Sequence, residues 1–341
     1  MSQDETQADP SVVLDLLEAF RHSKTMFAAV SLGVFDALKP GPMSLARLTK
    51  TLNVDMDALQ RLLDACVGLQ LLLRQGEDYR NTPAATAYLC KDSPNRLIDY
   101  IGYSNKFLWR LWGNLEDAIR EGTNRWQQTF GWDGSIFSSF FKTEEATREF
   151  LLSMHGYGLV SSPNVAAAFD LSQFRRLVDL GGATGHLAIA ICQRYPGMKA
   201  VVFDLPGVGP LAREIIAASP AADRIDVVAG DFFADNLPEG DLFTLGRILH
   251  DWTESKVRTL LGRIFDRLPS GGAVLIAEKL IDEDRAGPKW AQMQNLGMLL
   301  YTEGKERTLT EYKEILHSVG FAEVRGATTP TPLDAILALK A

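Results

Sequence analysis

One stretch constrains the fold of this chain more than any other: Leu177-Val178-Asp179-Leu180-Gly181-Gly182-Ala183-Thr184-Gly185-His186. An apolar run ends in an acid, and a glycine-rich turn then feeds directly into a helical pattern over residues 186–194. Strand, glycine turn and helix in immediate succession predict a βα unit of an open, doubly wound sheet. Glycine tolerates positive φ and lets a ligand approach the backbone closely. A phosphate loop would carry Lys-Ser/Thr at the helix start; this turn has none, and Asp179 would repel a pyrophosphate. Taken alone the turn is a moderate signal, because such glycines also serve plain strand-to-helix connections.

The series that follows makes it strong. A second strand pattern, 199–205, carries Asp204 roughly 20 residues past the glycines, the spacing of a ribose-hydroxyl acceptor. A third, 225–229, runs into Gly230-Asp231-Phe232-Phe233, an acid beside an aromatic that suits an adenine amino group and purine face. Each Asp alone could merely start a turn. As a set they match the ligand crevice of an α/β sheet, and an acidic rim without a basic residue suits a nucleoside with a cationic amino-acid tail. S-adenosylmethionine fits, with S-adenosylhomocysteine as product. Asp179, Gly181, Gly182, Gly185, Asp204, Leu205, Gly230, Asp231 and Phe232 are the candidate cofactor-binding residues.

At 341 residues the chain is long enough for two domains. A formal charge of −8 argues against a nucleic-acid partner, which calls for a basic footprint. No apolar run reaches membrane-spanning length, and the acidic start Met1–Pro10 is not a signal peptide. Cys66, Cys90 and Cys192 are scattered in apolar contexts without metal spacing, which reads as reduced core thiols in a cytoplasmic protein.

The two halves differ. Residues 1–100 read as a helical, winged-helix-like domain: Ser44 caps a helix over 45–52, a second helix covers 55–69, and Leu71–Leu73 and Tyr79–Thr82 form a small hairpin. The would-be recognition helix carries Asp55, Asp57 and Asp64 against the single base Arg61, so dimerisation is expected rather than DNA reading. The apolar load of the opening helices, among it Val12, Val13, Leu16, Leu17 and Phe20, exceeds what one small lobe buries and points to a homodimer. Residues 101–341 read as the catalytic domain. Long helices over 100–121 and 144–160, rich in aromatics, connect the halves and line an apolar pocket between them. Further strands are expected at 242–249, 273–280, 321–328 and 333–340, with helices over 207–217, 254–268 and 309–319. The last two strands lack an intervening helix, which gives a doubly wound sheet with one antiparallel edge strand.

The fourth strand ends Gly246-Arg247-Ile248-Leu249-His250-Asp251-Trp252-Thr253-Glu254. A histidine there projects into the crevice where a general base is needed, and the reference pKa of about 6.5 leaves it mostly neutral. Asp251-x-x-Glu254 reads as a capping pair for the next helix. Glu278 closes the apolar run 273–277 at the same sheet edge, and Glu306 lies just before the Thr308-x-x-Glu311 cap. Either carboxylate beside His250 would fix its tautomer and stabilise the imidazolium; either could instead be a surface ion-pair partner. Met154, Asp251, Trp252, Gly297 and Met298 are the candidate acceptor-pocket residues.

Asp-Leu-Gly-Gly-Ala-Thr-Gly, Phe-Asp-Leu-Pro, Gly-Asp-Phe-Phe, Arg-Ile-Leu-His-Asp-Trp and Gly-Lys-Glu-Arg-Thr occur in order. With them the chain resembles the S-adenosylmethionine-dependent small-molecule O-methyltransferases, most of all the acetylserotonin (hydroxyindole) branch and its bacterial secondary-metabolite relatives. The resemblance implies a Rossmann-like methyltransferase domain behind a dimerising winged helix. It also implies His250 as base flanked by Glu278 and Glu306, Arg247 among the cofactor-lining residues, and a small hydroxylated aromatic acceptor. One position departs: the indole-methylating branch carries an asparagine where Gly297 stands, and its amide is missing here. No metal is expected, since the His and acids lack ligand spacing along the chain. An NAD-dependent oxidoreductase would call for Gly-x-Gly-x-x-Gly, absent from the turn. A regulator that binds cofactor without catalysis would have no use for His250 and both glutamates.

Overall fold

A computed structural model describes residues 8–132 and 140–341; Met1–Gln7 of the acidic start fall outside them. The chain divides into two units, Met1–Asn105 and Lys106–Ala341.

In the first unit, helices α1 (Ser11–Ser31) and α2 (Val34–Ala37) lead to strand β1 (Met43–Ser44), helices α3 (Leu45–Leu52) and α4 (Met56–Gly68), and the hairpin β2 (Leu72–Gln75) and β3 (Asp78–Asn81). Helices α5 (Pro83–Tyr88) and α6 (Ile98–Tyr103) follow. The strands pair in the order β1-β3-β2, which completes the wing. Ser44 and Asp55 cap α3 and α4 through the amides of Arg47 and Ala58. The acids of α4 have structural partners: Asp57 pairs with Arg61, and Asp64 accepts from Tyr79 and Arg74.

The second unit begins with α7 (Trp109–Trp112), α8 (Leu115–Glu121), α9 (Trp126–Phe130) and the long α10 (Glu144–Ala167). The single helix expected over 100–121 is broken. A π-helical turn spans Ser104–Leu108, and Gly113-Asn114, both poor helix formers, end α7. Helix α10 instead outruns expectation and passes through Pro163, with small residues Gly156, Gly158, Ser161 and Ser162 buried along it.

Then come β4 (Arg176–Leu180), α11 (His186–Arg194), β5 (Lys199–Asp204), α12 (Gly209–Ala217), β6 (Ile225–Ala229), β7 (Leu242–Gly246) and α13 (Glu254–Arg267). The chain closes with β8 (Ala273–Glu278), α14 (Lys289–Tyr301), α15 (Leu309–Val319), β9 (Glu323–Ala327) and β10 (Asp334–Leu339). Helix α14 went unread in the sequence because Asn295 and Gly297 interrupt its apolar period. The sheet order is β6-β5-β4-β7-β8-β10-β9, with β4 to β8 parallel. The one reversed strand, β10, lies between β8 and β9 rather than at the edge.

Successive strand residues face opposite cores. Leu177, Val202, Leu242 and Leu275 pack with α10, α11 and α12 on one face; Val178, Phe203, Phe243 and Ile276 pack with α13 and α15 on the other. Covering both faces explains why β8 reads as a continuous apolar run. The strand order reverses between β4 and β7, so the turns that leave these two strands flank the switch point where such sheets bind ligands.

Candidate active site

The glycine turn after β4 needs its glycines. Gly181 has φ +63° and Gly185 φ +77°, and Gly185 is the N-cap of α11. A Cβ at Gly181 would stand 2.5 Å from Ile248 Cδ1 and 3.4 Å from Phe232 Cε1, so the two turns at the switch point touch through this position. At Gly182 a Cβ would meet the Asp179 carboxylate at 2.7 Å. Asp179 therefore lies under the turn rather than on its ligand edge. It is 1% exposed and accepts a hydrogen bond from Thr244 (2.7 Å) across β4 and β7, while its Oδ2 has no partner. Burial holds its carboxyl up to about 7.

Asp204 ties the turn to β5: Oδ2 accepts from the Ala183 amide (2.8 Å) and Oδ1 from Leu205 (2.7 Å). Burial lifts it to about 6, against the pull of those amides. Asp231 accepts from the Phe233 amide (2.8 Å), and Phe232 and Phe233 stack edge-on at 4.9 Å between centroids. Gly230 is buried against the ring of Phe203. The acceptor-only carboxylates Asp204 and Asp231 after β5 and β6, beside the Phe232 ring, fit a nucleoside with a cationic tail. Arg247, at φ +58°, sets its guanidinium 4.5 Å over the Tyr157 ring.

Strand β7 stops at Gly246, earlier than expected, because Arg247 turns the chain in the left-handed region. His250 sits in the 3-10 turn Leu249–Asp251, four residues past the strand. The turn is buried, His250 being 3% exposed. Its Nδ1 lies 2.6 Å from Glu306 Oε1, and its Nε2 lies 3.8 Å from Asp251 Oδ1. Burial opposes the imidazolium, but the charges of Glu306, Asp251 and Glu278 outweigh it and hold His250 up to about 9. The ring therefore holds its proton well above the 6.5 expected of an isolated histidine, and at neutral pH it is mostly charged, not mostly neutral. Asp251 does not cap α13; Thr253 does, accepting from the Lys256 amide. Burial raises Asp251 to about 6, against His250 and Arg247.

The two glutamates behave differently. Glu306 (1% exposed) bonds the ring. Glu278 (0% exposed) bonds the main chain, its Oε1 accepting from the amides of Leu249 (2.7 Å) and His250 (3.1 Å) and its Oε2 from the Tyr312 hydroxyl. His250, Glu278 and Glu306 do offer ligand atoms within 4.8 Å of one another, a convergence invisible along the chain. Glu278 and the ring Nδ1 are nonetheless occupied by hydrogen bonds, so the arrangement is a histidine–carboxylate pair on a clamped turn.

Gly297 and Met298 are buried on α14, whose Asn295 accepts from the Glu306 amide (3.0 Å). At Gly297 the Tyr301 ring fills the space where a Cβ would go, and Tyr301 takes the indole N–H of Trp112. Trp252 packs edge-on against Phe233 at 5.1 Å. Met154 lies on α10 beside His155, whose Nδ1 bonds Thr184 of the glycine turn (2.8 Å). Sequence reasoning missed Tyr312, Arg307 and Asn295. Arg307 is buried, with Nη1 donating to the carbonyls of Leu249 (3.3 Å) and Lys305 (3.1 Å). Its place directly after Glu306 was the only available signal.

The O-methyltransferase domain profile matches residues 112–322, and the O-methyltransferase dimerisation domain profile matches residues 14–91. Acetylserotonin O-methyltransferase of Gallus gallus is 40% identical over 338 residues, 97% of each chain. The crystal structure of human N-acetylserotonin methyltransferase in complex with SAM superposes with a TM-score of 0.93 at 39% identity, covering 100% of both chains. The structure of PigF with SAH gives a TM-score of 0.87 at 27% identity, covering 98% of this chain and 100% of that one.

Proposed function

The chain belongs to the S-adenosylmethionine-dependent O-methyltransferase family, and on that premise we propose that it methylates a hydroxyl of a small aromatic or heteroaromatic acceptor, with His250 as general base and no metal. The buried His250–Glu306 contact of 2.6 Å carries this reading. With Nδ1 donating to Glu306, the lone pair of the neutral imidazole lies on Nε2. That nitrogen takes the acceptor's proton, and Glu306 stabilises the imidazolium that results. General-base help of this kind contributes typically a factor of about 10² to 10⁴. When bound, S-adenosylmethionine supplies an electrophilic methyl group on a cationic sulfur. Asp204, Asp231 and Phe232 line its nucleoside, Asp179, Gly181 and Gly185 shape the turn beneath it, and Leu205, Gly182, Gly230 and Arg247 complete the wall.

Met154, Asp251, Trp252, Gly297 and Met298 are proposed to face the acceptor. The glycine in place of an amide-bearing residue at 297, under the Tyr301 ring, favours an acceptor other than acetylserotonin. Residues 1–100 are assigned to a homodimer interface and 101–341 to catalysis. The dimerisation-domain match and the exposed apolar face of α1 support the first assignment. Three buried free thiols suit a reducing, cytoplasmic setting. No helix among the described residues is long and apolar enough to cross a membrane.

A methyl-transfer screen over hydroxylated aromatics identifies the acceptor. On it, His250→Ala should keep cofactor affinity and lose most turnover, and a chelator should leave the wild-type rate unchanged. Near wild-type turnover by the variant would remove His250 as base. Inhibition reversed by a divalent cation would remove the metal-free mechanism.

A further inference from the structure

We propose that Tyr312 is a positioning residue for methyl transfer, acting through Glu278, and that the two buried glutamates divide the work: Glu306 holds the imidazole ring, and Glu278, fixed by Tyr312, holds the main chain that carries it. This rests on His250 as base.

The backbone around His250 has an unusual need for such support. After Gly246 the chain turns at Arg247 (φ +58°), whose amide still bonds the Ala277 carbonyl at 3.0 Å. The following 3-10 turn is a single turn, and the first amides of any helix have no partner within it. Here the amides of Leu249 and His250 both donate to one oxygen of Glu278. Glu278 ends β8, where its backbone is held by pairing with Asp334 of β10, so the clamp stands on the sheet itself. Its other oxygen takes the hydroxyl of Tyr312, a residue with no exposed surface. Arg307 donates to the Leu249 carbonyl of the same turn (3.3 Å). A buried carboxylate needs its charge matched by donors on both oxygens. Tyr312 donates to Oε2, and without that bond Glu278 takes up a proton more readily and grips the amides less well.

The charged and titratable groups around Glu278 come from several elements: His250 and Asp251 from the turn, with Arg247 acting on Asp251, Glu306 and Arg307 from the loop before α15, Tyr312 from α15, and the neighbouring Lys279 paired with Asp334 at the β8–β10 edge (2.9 Å). Burial raises the proton affinity of Glu278, while His250, Arg307 and Tyr312 oppose that rise. Removing the Tyr312 hydroxyl shifts it further up.

The test is steady-state kinetics of Tyr312→Phe from about pH 6 to 9, with His250→Ala in parallel. Tyr312→Phe should lower kcat by roughly 10- to 100-fold near neutral pH, the order expected when a reacting group is misplaced, and leave both KM values unchanged. A rise in either KM as large as the fall in kcat marks a general packing effect and overturns the proposal, as does a wild-type kcat. If His250→Ala keeps turnover, the base assignment fails instead, whatever Tyr312→Phe does. Should Tyr312→Phe not bind S-adenosylmethionine, Glu278→Asp, which shortens the clamp by one methylene, must give the same kcat-only loss; a wild-type kcat there overturns the proposal.

Discussion

At the scale of single residues, proton affinity is where tertiary structure most changes expectation. An isolated histidine is mostly neutral at pH 7, whereas His250, among Glu306, Asp251 and Glu278, holds its proton to about 9. With the neutral ring as the proposed base, kcat/KM should climb with pH about tenfold per unit and level off near 9. Glu306→Gln removes one negative partner and destabilises the imidazolium. The limb should then move toward lower pH, together with a lower plateau; an unmoved limb in a pH–rate profile would show that Glu306 does not set the base. The same pairing stabilises the fold. The folded value lies above the unfolded one, so the contribution is complete below about pH 6.5 and fades as pH rises toward 9. Asp204 has two roles where the sequence suggested one: it is the proposed ribose acceptor and it also anchors Ala183 and Leu205. Asp204→Ala should weaken cofactor binding by about 1.5–3 kcal/mol by calorimetry. Unchanged affinity would reject the ribose assignment.

At the scale of elements, the loop between α14 and α15 decides the site. It carries Glu306 to His250, and it can do so only because Gly304 lies flat against the turn: a Cβ there would crowd the His250 carbonyl and come within 2.7 Å of the Trp252 amide. Gly304→Ala should therefore cost about 1–3 kcal/mol of stability as overpacking does, and lower kcat more than cofactor affinity. Thermal unfolding and a binding isotherm separate the two effects, and a variant with wild-type kcat would show that the loop's fit does not matter. The loop's far end is set by a capping box, Thr308 accepting from the Glu311 amide (3.1 Å) and Glu311 from the Thr308 amide (2.8 Å). This cap was legible in the sequence, because its two partners sit three residues apart. The Asp251-x-x-Glu254 pattern looked equally valid, but Asp251 is drawn toward His250 and Arg247, and Thr253 takes the capping role.

At the scale of the whole molecule, the first turns of α1 stand out. Val12 is 68% exposed and Phe20 56%, with Val13, Leu16 and Leu17 exposed beside them. A contiguous apolar face of this kind marks an association surface. Sedimentation should find a dimer at micromolar concentration, and Leu17→Glu with Phe20→Glu should shift it toward monomer while cofactor binding persists. A wild-type chain that stays monomeric and fully active would remove the dimer. The same scale fixes the order of strands. Residue patterns revealed five parallel strands and a final hairpin, yet gave no means of seeing that β10 inserts between β8 and β9, since adding it at the edge satisfies the same apolar alternation.

What the sequence determined was whatever depends on near neighbours. The glycine turn of β4, the acids and aromatic at the ends of β5 and β6, the winged-helix hairpin and the Thr308 cap are all local patterns, each with a backbone geometry its own residues prefer. What tertiary structure alone decided was partnership across distance. Glu278 and Glu306 looked interchangeable beside His250, and only the register of β8 and the path of the loop past Gly304 give one the main chain and the other the ring. Tyr312 carried no sign of its role and Arg307 only its place beside Glu306, because a buried tyrosine or arginine is defined by the groups that face it. The physical reason is general: local propensity is written in adjacent residues, whereas burial, charge compensation and hydrogen-bond partnership exist only once distant segments meet.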